Sequence, residues 1–338
     1  MSSAKRVANP GLGAWPAILM ALLVVAAAVY AFSPRPQPQF PDTQVFADRM
    51  AVTALMQSGP RTIAVGDQGH VLLAEAGKEG WREAKVDPQR GSALTQIALV
   101  APDTLVAVGH DSWIIRSTDN GATWKETHFE PETSLPLLGV AGPFDGKLYA
   151  FGAFGQYLSS ADLGQTWQKE SVQALGDHHL NAMTQSAAGT LLLVGERGLV
   201  VRSVDKAATW TAVKPFYTGS LFGVLSLPSK TLVTFGMRGN VFRSLDDGKS
   251  WTKIDTGDNA SLFGGVVTPS GQIVLVGAGN TVLVSTDDGQ HFSRAVDKDR
   301  PSLTGVLSAG DSAWLTAGEN GIRLQRAGSA PAATGAAP

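Results

Sequence analysis

The segment Leu105-Val106-Ala107-Val108-Gly109 is one of seven short apolar runs that each end in glycine. The seven glycines follow one another at spacings of 43, 43, 43, 41, 41 and 41 residues. A fixed period of about 40 residues built from strand-like segments is typical of a β-propeller with one blade per repeat. The repeat therefore predicts an all-β fold. The other runs are TIAVG, LYAFG, LLLVG, LVTFG, IVLVG and WLTAG, which end at Gly66, Gly152, Gly195, Gly236, Gly277 and Gly318.

The second repeat shows the plan of one blade. Alternating β-branched and aromatic residues predict four strands, over residues 94–100, 104–108, 113–117 and 125–129. Glycine, asparagine and aspartate mark the turns between these strands. Repetition of this unit predicts a seven-bladed β-propeller over residues 43–326.

The most specific local motif is an eight-residue turn between the third and fourth strands. It reads STDNGATW at residues 117–124 and recurs as SADLGQTW, SVDKAATW, SLDDGKSW and STDDGQHF. This Ser-x-Asp-x-Gly-x-Thr-Trp pattern is the Asp box, and we call the five copies Asp-box turns. Each copy lies in its own blade, so its carboxylate cannot converge with the others on one substrate, and it can instead cap its own turn. We therefore predict a structural role for Asp119, Asp162, Asp205, Asp246, Asp287, Trp124, Trp167, Trp210 and Trp251.

The two ends of the repeat array are incomplete. The first repeat keeps Trp81 without an Asp box, and the seventh has no fourth strand before a low-complexity tail at residues 327–338. A sheet edge left open is a site for unwanted pairing, and proteins avoid it. We therefore expect residues 43–49 (TQVFADR) to supply the missing outer strand of blade seven.

The N-terminus predicts a membrane segment. Residues 15–32 are apolar and uncharged, and they follow a basic stretch within residues 1–14. A helix of this length just spans the hydrocarbon core, and its basic flank should stay in the cytoplasm. The alternative is a cleaved signal peptide, because small residues near Ala28 and Ala31 resemble cleavage sites. We expect a single-pass protein of the bacterial inner membrane, or a secreted one, with a Pro-rich linker at 33–42 and the propeller in the periplasm.

Composition excludes several kinds of site. The net charge is −2 and no Lys/Arg run occurs, so a nucleic-acid partner is not expected. The chain has no cysteine, which excludes disulfides, thiolate metal sites and a cysteine nucleophile. No phosphate-binding loop, Ser-His-Asp set or metal-ligand cluster is recognisable. We expect no catalytic residue, no metal and no cofactor, and a monomer in isolation.

The binding surface is expected on the face opposite the Asp-box turns. There the hairpins between second and third strands vary from blade to blade on a constant scaffold, as binding loops do. Neighbouring arginines on two of these hairpins are the strongest candidates, because arginine is favoured at interfaces. The predicted partner-binding residues are Arg197, Arg238, Glu196, Phe154, His110, Asp67 and Glu319.

The sequence also contains a pair of adjacent histidines and a set of three arginines whose roles it leaves open. His178 and His179 are adjacent, so their side chains point apart, and we expect an exposed pair and not a metal site. Arginines precede the Asp-box serine in three blades, as Arg116, Arg202 and Arg243. They could form a basic arc for a partner carboxylate or could only solubilise that edge.

The Asp-box turns, the 41–43 residue period and an LxxV inner strand together resemble the photosystem II stability/assembly factor family. The inner strand reads LTQI, LLGV, LNAM, LFGV and LTGV in different blades, and the resemblance covers residues 43–326. It implies a seven-bladed propeller without enzymatic activity that holds membrane-protein clients during assembly. The cysteine that carries a lipid in bacterial relatives is missing, and an apolar segment takes its place.

We therefore expect a membrane-tethered propeller that binds a membrane-protein subunit and assists the assembly, stability or operation of an envelope complex. The alternative is a glycan-binding or sialidase-like glycoside hydrolase propeller. Sialidases need a tyrosine nucleophile and an arginine triad, and only Tyr217 lies in a loop of the predicted binding face.

Overall fold

The computed structural model describes residues 15–33, 46–76, 80–310 and 312–328. The chain divides into two compact units, Met1–Gln44 and Val45–Pro338. In the first, α1 (Trp15–Phe32) has a mean hydropathy of 2.2 and no buried residue, so it could cross a membrane or serve as a signal sequence. The predicted segment 1–14, and most of 33–42 and 327–338, lie outside the described residues.

The second unit contains seven sheets, one for each blade, which confirms the predicted fold class. Each blade runs from its innermost strand outward in chain order, and neighbouring strands within a repeat are antiparallel. The strands are β1 (Val52–Ser58), β2 (Arg61–Gly66), β3 (Val71–Glu75) and β4 (Arg82–Glu83) in blade one; β5 (Lys85–Asp87), β6 (Leu94–Ala101), β7 (Thr104–Gly109), β8 (Ile114–Ser117) and β9 (Thr123–His128) in blade two; β10 (Leu137–Phe144), β11 (Lys147–Gly152), β12 (Tyr157–Ser160) and β13 (Gln168–Lys169) in blade three; β14 (Leu180–Gln185), β15 (Leu191–Gly195), β16 (Val200–Ser203) and β17 (Thr211–Ala212) in blade four; β18 (Leu221–Ser226), β19 (Leu232–Gly236), β20 (Val241–Ser244) and β21 (Thr252–Ile254) in blade five; β22 (Leu262–Val267), β23 (Ile273–Gly277), β24 (Thr281–Ser285) and β25 (Ser293–Arg294) in blade six; and β26 (Leu303–Ser308), β27 (Ala313–Gly318) and β28 (Gly321–Arg326) in blade seven.

Blade two departs from the common plan by having five strands. β6 to β9 agree with the four predicted strands to within two residues at each end. β5 pairs in parallel with the outer edge of β9, with Val86 opposite Trp124. The sequence did not predict this fifth strand. β5 has only three residues, follows closely after β4 of blade one, and is too short to show an alternation of apolar and polar residues.

The repeating glycine ends the second strand of every blade because another chain segment passes too close for a side chain. A Cβ built on Gly109 would lie 2.1 Å from the carbonyl oxygen of Ala93, just before the first strand. The corresponding distances at the other six glycines are 2.0 to 2.3 Å. The apolar residues before each glycine are almost all buried, so this strand forms the centre of each blade.

The ring is continuous from blade to blade along its innermost strands. The Thr53 hydroxyl donates to the Leu94 carbonyl at 2.7 Å, and the Thr95 hydroxyl donates to the Leu137 carbonyl at 2.7 Å. The Thr304 hydroxyl of blade seven donates to the Val52 carbonyl of blade one at 3.0 Å. Side chains of blades one and seven also share one buried apolar cluster. The first and last repeats are therefore neighbours.

The predicted outer strand of blade seven differs from the structure where it is described. Phe46–Arg49 forms a turn and not a strand, and residues 43–45 lie outside the described part. The Ala47 carbonyl accepts a hydrogen bond of 2.9 Å from Ile322 in β28, so this turn does contact blade seven. Among the described residues, the sheet of blade seven has three strands.

Candidate functional site

In the Asp-box turns each aspartate accepts several hydrogen bonds from its own turn. One Asp162 carboxylate oxygen accepts the Ser160 hydroxyl at 2.8 Å and the Thr166 backbone N–H at 2.9 Å, and the other accepts the Thr166 hydroxyl at 2.6 Å. Hydrogen bonds to the charged form, led by that of the Thr166 hydroxyl, lower the pKa of Asp162 to about 2. The same contacts recur at Asp119, Asp205, Asp246 and, with a histidine in place of the hydroxyl residue, Asp287.

The Asp-box tryptophans fill space at the blade boundaries and mostly bond back to their turn. The indole N–H of Trp124 donates to the Gly121 carbonyl at 2.8 Å, and those of Trp167 and Trp251 make the equivalent bond at 3.2 Å. Trp210 is the exception, since its buried indole nitrogen has no hydrogen-bond partner among the described residues. Its turn is the copy with Ala207 in the glycine position.

The residue after each Asp-box aspartate has left-handed φ and contacts the preceding blade. In the copies in blades five and six this residue is Asp247 and Asp288. Asp247 pairs with Arg202 at 2.8 Å, and Asp288 pairs with Arg243 at 2.6 Å. In the other three copies the contacts at this position are Asn120 with Ser58, Leu163 with Arg116, and Lys206 with Asp145.

These contacts exclude both interpretations of Arg116, Arg202 and Arg243. The three arginines neither form a basic arc that binds a partner nor serve only to solubilise the edge. The Arg116 guanidinium donates to the Leu163 carbonyl at 2.7 Å, and Arg202 and Arg243 also donate to the carbonyls of Asp247 and Asp288. The arginines are therefore occupied at blade boundaries and do not form a basic arc for a partner. The sequence could have revealed this pairing, because each arginine lies 45 or 47 residues before its acceptor.

The predicted binding face is built from hairpins held tightly against neighbouring loops. The central residues of five hairpins adopt left-handed φ between 53° and 56°, which is uncommon for residues other than glycine. A Cβ built on the next residue, Gly155, Gly198 or Gly239, would lie 2.0 to 2.1 Å from a loop carbonyl. The five central residues are Gln68, Asp111, Phe154, Arg197 and Arg238.

The acidic residues predicted on this face are partly engaged in holding loops. Glu196 accepts the backbone N–H of His179 at 3.1 Å, and Glu319 accepts that of Ser302 at 3.1 Å. Asp67 and His110 are exposed on the hairpins of blades one and two, and in the described part of the chain they hydrogen-bond through their backbones alone. Their side chains are available to solvent.

Tyr217 lies between the hairpins that carry the two arginines. Its carbonyl oxygen contacts Gly198, and its hydroxyl donates to the Met237 carbonyl at 3.2 Å. Arg197 and Arg238, next to these two residues, are exposed, and their guanidinium groups have no hydrogen bond or ion pair with any described residue. The backbone of Arg238 is held in place, because its N–H donates to the Ser261 hydroxyl at 3.2 Å. Burial raises the pKa of Tyr217, although the positive charge of Arg238 acts in the opposite direction.

An exposed aromatic residue lies on the hairpin of the blade that precedes Arg197. Phe154, on the hairpin of blade three, is 61% exposed and meets the His179 ring edge-on at a centroid distance of 5.0 Å. Within the described ranges, no group of His, Asp or Glu residues has the arrangement of a metal site. We call Phe154, Arg197, Tyr217 and Arg238 the arginine face.

The centre of the ring holds a cavity of about 230 Å³ lined by the first strands. Phe222 and Phe263 face it with their ring centroids 5.4 Å apart.

The other two tyrosines of the propeller, Tyr149 and Tyr157, are unsuited to nucleophilic chemistry. Both are buried, and burial raises the pKa of both hydroxyls.

Comparison with known proteins supports a propeller family. Residues 81–221, less than half of the chain, match the model of the DUF6242 β-propeller domain. No curated protein matches the chain in sequence. Among solved structures, YCF48 bound to D1 peptide is 16% identical with a TM-score of 0.66, and the match covers 86% of this chain and 100% of that one.

Two other solved structures are similar in fold. YCF48 from Cyanidioschyzon merolae is 14% identical with a TM-score of 0.65, covering 84% of this chain and 97% of that one. A catalytically inactive virginiamycin B lyase from Staphylococcus aureus, with quinupristin, is 11% identical with a TM-score of 0.69, covering 83% and 96%. At these identities the similarity is one of fold.

Proposed function

We propose that this protein is a non-enzymatic, membrane-tethered propeller that binds a membrane-protein client and assists the assembly, stability or operation of an envelope complex. The observation that carries the proposal is the arginine face. Arg197 and Arg238 are exposed, their guanidinium groups have no partner among the described residues, and they flank one tyrosine on closely packed hairpins. Guanidinium groups that are not neutralised within the protein can bind carboxylates in pairs of hydrogen bonds.

Phe154 adds the second property of a protein-binding surface. An exposed phenylalanine beside arginines offers apolar contact area close to charged donors, which is the composition found at the energetic centres of interfaces. One solved propeller of similar fold is YCF48 bound to D1 peptide, and this supports a protein ligand for the present fold. We infer an acidic segment with an apolar side chain as the preferred ligand.

The tether rests on α1, which is apolar along its whole length. We propose that it anchors the propeller in the inner membrane with the blades in the periplasm. Carbonate extraction of membranes would retain an anchored chain and release a cleaved one, and the mass of the mature protein would show whether residues 1–31 are present.

The client surface is tested by removing the two arginines. We expect Arg197→Ala/Arg238→Ala to weaken capture of the client from detergent-solubilised membranes about tenfold, or about 1.4 kcal/mol, with an unchanged thermal melt. A photoreactive amino acid in place of Phe154 should crosslink the same client and allow its identification.

The matched control is Lys125→Ala/Lys249→Ala, which removes two positive charges from exposed positions outside the arginine face. Equal losses in the two variants would mean that overall charge and not this face drives binding. Full capture by the arginine variant would contradict the proposed site.

A further inference from the structure

The second residue of each blade's first strand carries one of two kinds of side chain. In four blades it is polar and donates a hydrogen bond to a backbone carbonyl of the next blade, as Asn181 does to Leu221 at 2.8 Å. The other three polar residues are Thr53, Thr95 and Thr304. In blades three, five and six the residue is apolar and cannot make this bond. These apolar residues are Leu138, Phe222 and Phe263.

Phe222 and Phe263 lack this hydrogen bond and also lie outside the cores of the blades. Both are half-buried, and neither belongs to the apolar clusters that the buried residues form in the described part of the chain. They contact each other, with ring centroids 5.4 Å apart and an interplanar angle of 56°, which is a favourable arrangement of aromatic rings. Positions that depart from the rule of a repeat without a gain in packing are expected at functional sites.

Both rings border the cavity of about 230 Å³ at the centre of the ring, and we call this cavity the axial pocket. It is smaller than the about 300–1,000 Å³ usual for pockets that hold a whole small-molecule ligand. Every residue that lines it is uncharged, so a charged group buried there would have no partner, which is costly. Size and lining therefore favour one uncharged side chain as the occupant, and the two phenylalanine rings favour an aromatic one.

The two rings lie at the end of the axial pocket that is nearest to the arginine face. Phe263 comes two residues after Ser261, whose hydroxyl accepts the backbone N–H of Arg238 at 3.2 Å. Phe222 is the second residue of β18, whose first residue pairs with Gly236, and Gly236 directly precedes the hairpin of Arg238. A protein segment bound at Arg238 is therefore within reach of both rings.

We infer that the axial pocket binds one aromatic side chain of the client whose acidic segment binds the arginine face. The client's ring packs against Phe222 and Phe263 and takes the place of water in the pocket. The inference rests on the proposed function, because the client supplies the ring. The affinity of the pocket for an aromatic group is independent of the two arginines, so the two proposals can fail separately.

The first test uses N-acetyl-tyrosinamide, an uncharged probe with one aromatic side chain, and the full chain in detergent, with binding measured by saturation-transfer NMR. We expect saturable binding that is about tenfold weaker in Phe222→Thr/Phe263→Thr, because two ring contacts are lost. The thermal melt of this variant should not fall, since threonine bonds to the next blade at this position in three other blades. Leu138→Thr is the matched control, because it makes the same change in blade three, outside the axial pocket.

The second test places p-benzoylphenylalanine at Phe263, where it should crosslink the client that the arginine face captures, next to an aromatic residue of that client. Equal binding of the probe to the wild type and Phe222→Thr/Phe263→Thr, or no saturable binding, would overturn the inference. Probe binding without a crosslink to the client would overturn the client as its occupant. Arg197→Ala/Arg238→Ala should bind the probe like the wild type, and full client capture by this variant would contradict the arginine face alone.

Discussion

Different residues pack two of the boundaries between blades, the one between blades four and five and the one between blades six and seven. At the first, an Asp-box turn brings Trp251 and Asp247 against the preceding blade, where Arg202 binds the aspartate. At the second the sequence has no Asp-box motif, and Trp314 fills the core from the second strand of blade seven. Trp314 occupies a position that is leucine or isoleucine in the preceding five blades, at residues 105, 148, 191, 232 and 273.

This difference shows that the ring tolerates loss of a motif when the lost volume is replaced. The polar clasp between an arginine and the residue after the Asp-box aspartate has no counterpart at the boundary of blades six and seven, where Val284 stands in the arginine position. Apolar packing is therefore the common requirement of the boundaries, and the clasp is an addition found at some of them.

The largest expected effect is at Trp314. Trp314→Ala should lower the free energy of unfolding of the propeller by about 3–5 kcal/mol, because a fully buried large side chain leaves a cavity. Trp251→Ala, at a half-buried position, should cost roughly 1–3 kcal/mol. Urea unfolding of both variants measures the difference, and a larger loss at Trp251 would show that the Asp-box ring carries more of the packing.

The clasp should contribute less than the core. Arg243→Ala should cost about 1–3 kcal/mol, since it leaves the Asp288 carboxylate short of a partner in a partly buried place. A double-mutant cycle with Asp288→Ala should return a coupling of about 0.5–3 kcal/mol. At the boundary without a clasp, Val284→Arg should lower the free energy of unfolding by about 0.5–3 kcal/mol, because it removes a half-buried valine that packs on the core cluster and the new arginine gains no aspartate partner.

The smallest effect tests the degenerate Asp box. Ala207 has φ of +66°, where the other four copies have glycine, so Ala207→Gly should raise the free energy of unfolding by up to about 1 kcal/mol. The reverse change in a regular copy, Gly248→Ala, should lower it by about 1–2 kcal/mol, because the new methyl group would lie 2.4 Å from a Leu192 methyl carbon. Thermal melts of the pair compare them directly, and a stabilising Gly248→Ala would contradict the argument from backbone strain.

Much of this molecule could be predicted from local sequence. The spacing of Gly66 to Gly318 gave the number of blades, and alternation placed the strands of blade two to within two residues. These features depend on periodicity and turn chemistry, which act over a few neighbouring residues. The short strand β5 and the turn at Phe46–Arg49 were not predictable in this way, because each is defined by what it lies against.

The same distinction between local sequence and tertiary contacts applies to the candidate binding site. The hairpin positions of Arg197, Arg238 and Phe154 could be named from the sequence, because the repeat assigns every hairpin to one face. Their role as client contacts stays a prediction. That Tyr217 joins the two arginine hairpins, while Glu196 binds a loop backbone, depended on distances between blades.

The sequence by itself determined the architecture of this protein, because each blade is specified by its own glycine, strands and turn. Only the tertiary structure decided which charged side chains are free. Arg202 and Arg238 are equally basic in the sequence, but one meets Asp247 of the next blade and the other meets solvent. The physical reason is that an ion pair requires two groups within a few ångströms, and partners 45 residues apart are brought together only when the ring forms.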